Sequence, residues 1–139
     1  MSGGMKITWQ GGMKFTSVGS FGTEMVTDAA RDVGGGESAA SPIEWLVFAL
    51  GACTGMDVVS ILRKMKQQIT SYSIEVEVQR PTNDYPRPIE KAHIVHTLSG
   101  PALEPEMVEK AVRLSDEKYC AVAASLRASA EVTSEYRIE

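Results

Sequence analysis

One stretch near the middle of the chain decides the fold, SPIEWLVFALGAC, residues 41–53. It begins with a helix start signal, because Ser41 suits the N-cap and Pro42 suits the first helical position. Glu44 can close a capping box by accepting a hydrogen bond from the Ser41 amide. Good helix formers continue to about Lys66, which predicts a helix about 37 Å long at ~1.5 Å per residue.

The first half of this helix, Trp45 to Cys53, is apolar on every face. A helix tolerates this only when protein surrounds it. A single sheet in a domain of this size covers one side, so the sequence predicts that a partner chain covers another. Gly51 and Gly55 lie four residues apart on one face, where they would let another backbone approach closely.

The segments around the helix predict an α+β domain. Alternating or β-type residues predict strands, and apolar stripes at helical spacing predict helices. The strands are expected at residues 6–9, 14–18, 23–27, 71–80, 89–99 and 132–139, and the helices at 41–66, from 105 onward and at 118–128. The order is β-β-β-α-β-β-α-α-β without a repeated βαβ unit, so residues 1–139 are expected to form one domain with helices on a mainly antiparallel sheet.

Length and composition narrow the class of protein. The chain has 139 residues, 43% of them hydrophobic and 23% charged, which is typical of a packed globular domain. Its net charge of −4 argues against nucleic-acid binding and against an anionic membrane surface. The apolar run from Trp45 to Met56 is 12 residues long, short of the ~18 that cross a bilayer, and no secretory signal is evident. The sequence therefore predicts a cytoplasmic protein without a membrane span.

The two cysteines, Cys53 and Cys120, are too few for a disulfide scaffold and too far apart for a CxxC redox or zinc motif. A reactive cysteine must form a thiolate, and apolar surroundings oppose this. Asp57 is four residues from Cys53 on the same helical face and opposes ionisation as well, so a reactive Cys53 needs an arginine from elsewhere. Otherwise it is a packing residue. The two thiols could cycle between dithiol and disulfide if the fold brings them together, which the sequence leaves open.

Three other chemistries are disfavoured. His93 and His96 form an H-x-x-H motif, but residues three apart on a strand point to opposite faces and cannot share one ion. The glycine-rich loop at residues 28–40 lacks the Gly-Lys-Ser/Thr of a phosphate cradle. No Gly-x-Ser-x-Gly elbow of a serine hydrolase is present. No metal site is therefore predicted.

The motifs SPIEWL at residues 41–46, ALGAC at 49–53 and SDEKYC at 115–120 resemble the OsmC/Ohr family of thiol-dependent hydroperoxide reductases. The resemblance covers nearly the whole chain. It implies an intertwined homodimer in which sheets enclose two long central helices. It also implies a peroxidatic Cys53, whose thiolate attacks a small hydroperoxide, and a resolving Cys120 that converts the sulfenic acid to a disulfide. An external dithiol, often a lipoylated protein, would be the reductant, and no bound cofactor is implied.

Two positions depart from the family pattern. The reductases place a catalytic glutamate directly after the helix-starting proline, where this chain has Ile43. Glu44 is one place later, turned about 100° around the helix, and is the candidate for that role. The family also holds the thiolate with an arginine, for which Arg31 is the candidate in the region before the helix. These changes indicate a divergent branch of the family.

The apolar Ile43 also suits a second hypothesis, a non-enzymatic homodimer that binds a small hydrophobic ligand in the same cleft. A third is a thiol redox sensor that changes a partner contact on oxidation. The leading prediction is the hydroperoxide reductase, acting in oxidative-stress defence.

Overall fold

The computed structural model describes residues 3–139 and confirms the predicted α+β order. The strands are β1 (Thr8–Trp9), β2 (Phe15–Val18), β3 (Glu24–Thr27), β4 (Ser71–Gln79), β5 (Lys91–Ser99) and β6 (Glu131–Ile138). The helices are α1 (Pro42–Lys64), α2 (Pro105–Leu114) and α3 (Ala121–Leu126), with a 3-10 turn at Arg31–Val33 and a π-helical turn at Ser115–Tyr119. The predicted helix at 118–128 is therefore shorter, because its first residues belong to the π turn or precede α3.

The chain divides into two compact units, Met1–Leu46 and Val47–Glu139. In the first unit β1, β2 and β3 form an antiparallel meander. The predicted capping box is confirmed, since the Ser41 amide donates to Glu44 Oε1 at 3.2 Å and the Glu44 amide donates to Ser41 Oγ at 3.4 Å. The Trp45 indole N–H donates to the Val26 carbonyl at 2.8 Å, which ties the helix start to β3.

A buried carboxylate organises the glycine-rich loop of the first unit. Asp28 accepts hydrogen bonds from the Ser38 hydroxyl at 2.6 Å and the Ala29 amide at 2.8 Å, and also from the Ser38 and Gly36 amides. These bonds, the Ser38 hydroxyl first, hold the pKa of Asp28 far below its usual value. The loop amides thus surround the chain's own carboxylate, which gives a physical reason to reject the phosphate-cradle interpretation.

The first unit has almost no core of its own. Within residues 3–46, Asp28 is the sole buried residue. Large apolar side chains of this unit are exposed, among them Ile7, Trp9, Val18 and Phe21, the last with 95% of its surface accessible. A small sheet needs a packed apolar face to be stable in water. The unit therefore needs a cover on these side chains.

The second unit contains a three-stranded sheet in the order β4-β5-β6. β4 and β5 form the predicted antiparallel hairpin, with Ile74 opposite His96. β6 lies parallel to β5, with His96 opposite Tyr136. Parallel neighbours require a crossover, and α2, the π turn and α3 provide it. Within residues 3–139, three of the four strand pairings are antiparallel, in agreement with the predicted fold class.

Helix α1, strand β5 and helix α2 contribute the main core of this unit. Its fully buried members are Val58, Leu62, Leu98, Val108 and Ala111.

The glycines of α1 face strand β4 of the same chain. A Cβ atom on Gly55 would lie 2.7 Å from Ile74 Cδ1, and one on Gly51 would lie 3.1 Å from Val76 Cγ2. The sequence predicted that the two glycines admit another backbone, but in the structure they allow side chains of β4 to pack closely on α1.

By length and composition alone, α1 could cross a membrane, with a mean hydropathy of 1.8. The sequence prediction considered an uninterrupted uncharged run, which is shorter than the helix. In the structure Val58 and Leu62 of this helix pack in a core with β5 and α2. This is the arrangement of a central helix in a globular domain.

The two histidines of β5 occupy different environments. His93 is partly exposed. Its Nδ1 lies within hydrogen-bond distance of the Thr133 hydroxyl, at 2.7 Å, and its Nε2 lies 3.3 Å from Glu135 Oε1. His96 is fully buried, and its Nδ1 lies 2.6 Å from the Tyr72 hydroxyl. Within residues 3–139 its Nε2 has no hydrogen-bond partner. Burial lowers the pKa of His96 from 6.5 to about 4.

This buried histidine predicts a loss of stability in mild acid. The unfolded chain binds a proton at His96 below about pH 6.5 while the folded chain does not, so the unfolding free energy falls from pH 6.5 toward pH 4, by about 3 kcal/mol in total. Urea unfolding across this range measures the fall. We expect His96→Gln to reduce it and His93→Gln to leave it in place; an equal slope in wild type and His96→Gln contradicts the assignment.

Candidate functional site

The second unit brings the two cysteines together. Cys53 lies in α1, and Cys120 is the N-cap residue of α3. The two sulfur atoms and a carboxylate oxygen of Asp57 lie within 4.8 Å of one another, and both thiols are free. A disulfide needs an S–S distance of about 2 Å, so the thiols are close but not bonded. The question that the sequence left open is answered, because the two thiols do meet.

The two thiols differ in accessibility. Cys53 is partly exposed, whereas Cys120 is 3% exposed. Burial raises the pKa of the Cys120 thiol to about 11, and the Cys53 thiol and the Asp57 charge contribute in the same direction. The Ala123 amide, which donates to the Cys120 sulfur at 3.4 Å, opposes part of this rise. Cys120 is therefore a protonated thiol at neutral pH.

Asp57 is held by a chain of buried hydroxyl groups. The Ser115 hydroxyl donates to Asp57 Oδ2 at 2.8 Å, and the Thr54 and Ser115 hydroxyl oxygens are also 2.8 Å apart. Because the single Ser115 proton goes to Asp57, the Thr54 hydroxyl is the donor to Ser115. Both hydroxyl residues are fully buried. The carboxylate is thus fixed beside the two sulfurs.

Sequence reasoning identified Asp57 only as a charge opposing Cys53 and missed Ser115 and Thr54. The i, i+4 spacing of Cys53 and Asp57 did predict that both side chains lie on one helical face. No sequence signal joins Asp57 to Ser115, which is 58 positions away.

The π-helical turn sets the position of Ser115 and Cys120. The Cys120 amide donates to the Ser115 carbonyl at 2.9 Å, which closes the wider turn. π-helical turns are rare and frequently occur at functional sites. Here the turn presents a hydroxyl at one end and a thiol at the other to the same face of α1.

The other two predicted site residues have partners in the first unit. Arg31 is 74% exposed and pairs with Glu37 at 3.0 Å. Glu44 accepts from both the Ser41 hydroxyl, at 2.8 Å, and the Ser41 amide, and these bonds lower the pKa of its carboxyl. The capping role of Glu44 is thus established, while catalytic roles for Arg31 and Glu44 stay predictions.

A cavity of about 380 Å³ has Asp57 in its wall. Its lining combines apolar side chains, two lysines and other polar residues. The lining residues are Asp57, Ser60, Ile61, Lys64, Met65, Lys110, Leu114 and Tyr119. All of these residues belong to the second unit.

The two thiols come from Cys53 in the central helix and from Cys120 far downstream. This arrangement agrees with the family that the sequence motifs resemble. The family model for OsmC-like proteins matches residues 34–135. The chain belongs to the OsmC-like family. This membership fits the α+β fold and the element order.

Individual relatives and solved structures match nearly the full length of the chain. YhfA of Escherichia coli K12 is 30% identical over 133 residues, covering 96% of each protein. A crystal structure from Aquifex aeolicus matches 100% of this chain and 98% of its own, with a TM-score of 0.82 and 28% identity. An organic hydroperoxide resistance protein OsmC from Legionella pneumophila shares the fold at 16% identity, with a TM-score of 0.66 and 96% of each chain covered.

Proposed function

We propose that this protein is a thiol-dependent hydroperoxide reductase in which Cys53 attacks the peroxide and Cys120 resolves the product. The observation that carries the proposal is the unequal pair of thiols within 4.8 Å, one partly exposed and the other buried. Known members of the fold are named for organic hydroperoxide resistance, which supports the same chemistry.

The first step takes place at the accessible sulfur. The Cys53 thiolate attacks the distal oxygen of a hydroperoxide ROOH, the O–O bond breaks, and the alcohol leaves after taking up a proton. Cys53 becomes a sulfenic acid, oxidised by two electrons, and the peroxide is reduced by two electrons. Arg31 remains our candidate for holding the thiolate, and Glu44 our candidate for the catalytic glutamate of the family.

The second step closes the disulfide. The Cys120 sulfur attacks the sulfenic sulfur, the S–O bond breaks, and water leaves. The thiol of Cys120 must lose its proton as it attacks, because its pKa of about 11 keeps it protonated at neutral pH. The Asp57 carboxylate lies within 4.8 Å of both sulfurs and can take this proton and pass it to the departing hydroxyl. Asp57 thus supplies a carboxylate to a site whose family glutamate position is Ile43.

An external dithiol then reduces the disulfide and restores both thiols. A lipoylated protein is the reductant that the family resemblance suggests. The proposed cycle needs no bound cofactor, and it includes our prediction of a cytoplasmic protein, because thiols are kept reduced in that compartment.

Thiol counting during peroxide treatment tests the proposal. We expect one equivalent of an alkyl hydroperoxide to remove both thiols of the reduced wild-type protein, and peptide mapping to find a 53–120 disulfide. Added dithiol should sustain turnover. Consumption that stops after one equivalent despite the dithiol indicates the sensor hypothesis, and thiols that survive the peroxide indicate the ligand-binding hypothesis.

We also propose that the protein is a homodimer. Exposed apolar side chains on the first unit, such as Ile7, Trp9 and Phe21, and on α1, such as Met56, need a cover. A second copy of the chain is the cover that the family resemblance implies.

Light scattering at micromolar concentration should therefore give twice the mass of one chain. On dilution, amide protection should be lost in β1–β3 before it is lost in β4 and β5, which share a packed core. A monomeric mass with intact protection in β1–β3 contradicts the dimer.

A further inference from the structure

The geometry points to a second use of the dithiol: Cys53, Cys120 and Asp57 form a binding site for a thiophilic divalent cation such as Zn²⁺. This inference concerns the reduced protein and does not depend on peroxidase activity. It also departs from the sequence prediction of no metal site, because that prediction considered only motifs local in the chain.

The donor atoms match a zinc site in number and type. Two thiolates and a carboxylate are ligands of Zn²⁺, and thiolate donors select it over the hard cations Mg²⁺ and Ca²⁺. In a tetrahedral site with Zn–S bonds near 2.3 Å, two ligand sulfurs lie about 3.8 Å apart. The three donor atoms are within 4.8 Å of one another, so adjustments of about 1 Å complete the geometry.

The positions of the three ligands in the fold are also typical of a metal site. Cys53 and Asp57 have the i, i+4 spacing that places two ligands on one helical face. Cys120 comes from a second element, at the N-terminus of α3. Three protein ligands leave the fourth position open for water or a small ligand.

Groups behind the ligands orient them. The Ser115 hydroxyl donates to Asp57 Oδ2 at 2.8 Å, with Thr54 behind it, and the Ala123 amide donates to the Cys120 sulfur at 3.4 Å. Zinc ligands characteristically receive such supporting hydrogen bonds. This support is present on the carboxylate and on one sulfur.

Binding and oxidation exclude each other. The cation replaces the thiol protons, which leave to solvent, and no atom changes its oxidation state. A disulfide removes both thiolates, so the oxidised protein has only the carboxylate left. A bound cation would therefore shield the dithiol from peroxide, and peroxide oxidation of the free dithiol would close the site.

Titration of the purified reduced protein tests the site. With Zn²⁺ in competition with a chromophoric chelator, we expect one ion per chain and release of at least one proton. With Co²⁺ we expect thiolate-to-cobalt charge-transfer absorption in the near ultraviolet. The 53–120 disulfide form should bind neither ion.

Variants separate the ligands from their surroundings. Cys53→Ser and Cys120→Ser should each weaken the charge-transfer band, and Ser115→Ala should lower the affinity about 10-fold by freeing Asp57. Glu117→Gln removes an exposed carboxylate from the same turn and should bind like the wild type. Absence of one-to-one binding by the reduced protein, or a cobalt spectrum unchanged in both cysteine variants, overturns the inference.

The outcome is independent of the proposed reductase. Disulfide formation by peroxide without Zn²⁺ binding overturns the metal site and leaves the reductase standing. Zn²⁺ binding by a protein that consumes no peroxide in its reduced, metal-free form supports the metal site and contradicts the reductase.

Discussion

Replacing Cys53 by Ser should reduce hydroperoxide turnover to the background rate, while Cys120→Ser should still consume one equivalent of peroxide. Both expectations follow from the unequal exposure of the two thiols, since the accessible sulfur attacks first and the buried one acts only on the product. Serine keeps the size of each side chain but is a far weaker nucleophile than a thiolate. Both variants should therefore fold.

Peroxide consumption, thiol counting and trapping of the sulfenic acid with dimedone measure the two steps separately. We expect Cys120→Ser to accumulate trapped sulfenic acid at residue 53 and Cys53→Ser to accumulate none. Glu117→Gln offers a matched control, because it changes an exposed side chain of the π turn and leaves both thiols and Asp57 in place. Parental turnover in Cys53→Ser is the result that would sink the mechanism.

The second large effect is expected for Asp57→Asn, which should slow disulfide closure about 100-fold, a typical contribution of general acid–base catalysis. The sulfenic acid should form at a rate close to that of the wild type, because closure is the step that uses Asp57. Asparagine keeps the shape of the side chain and can still accept the Ser115 hydrogen bond. Loss of the negative charge also favours the Cys120 thiolate, but burial is the largest cause of its raised pKa and remains.

The pH profile distinguishes proton transfer from a structural role. In the wild type the closure rate should vary little between roughly pH 6 and 9, because the carboxylate removes the proton. In Asp57→Asn it should rise about tenfold per pH unit, since the thiol must ionise unaided. Glu117→Gln should keep the wild-type profile. A flat profile in Asp57→Asn, with normal sulfenic acid formation, contradicts the role of Asp57.

Local sequence signals predicted the elements of the fold well. The Ser41 to Glu44 cap, the alternation along β4 and β5, and the proline at the start of α2 all act within a few residues. The α+β class follows from their order. The parallel pairing of β5 with β6 could not be inferred in the same way, because it depends on how α2 and α3 pack.

The candidate site was predictable in its two sulfurs but not in their surroundings. Cys53 and Cys120 are recognisable because each lies in a segment that resembles the family, and both fall within the residues that the family model matches. The hydrogen bond from Ser115 that holds Asp57 depends on the π turn, for which no sequence pattern was evident. Residues that are 58 or more positions apart come together through tertiary packing, and local patterns in a single sequence do not reveal which of them do so.

The parallel pairing of β5 and β6 has a consequence for biosynthesis. Cys120 lies on the crossover between these strands, and the crossover is held at both ends only when β6 has docked beside β5. A ribosome-bound chain that still lacks β6 has both thiols but has not yet secured them face to face. Pairings between distant segments form slowly during folding, so the reactive pair is among the last features to be assembled. The close approach of Cys53 and Cys120 is therefore a late product of folding, completed when the last strand docks.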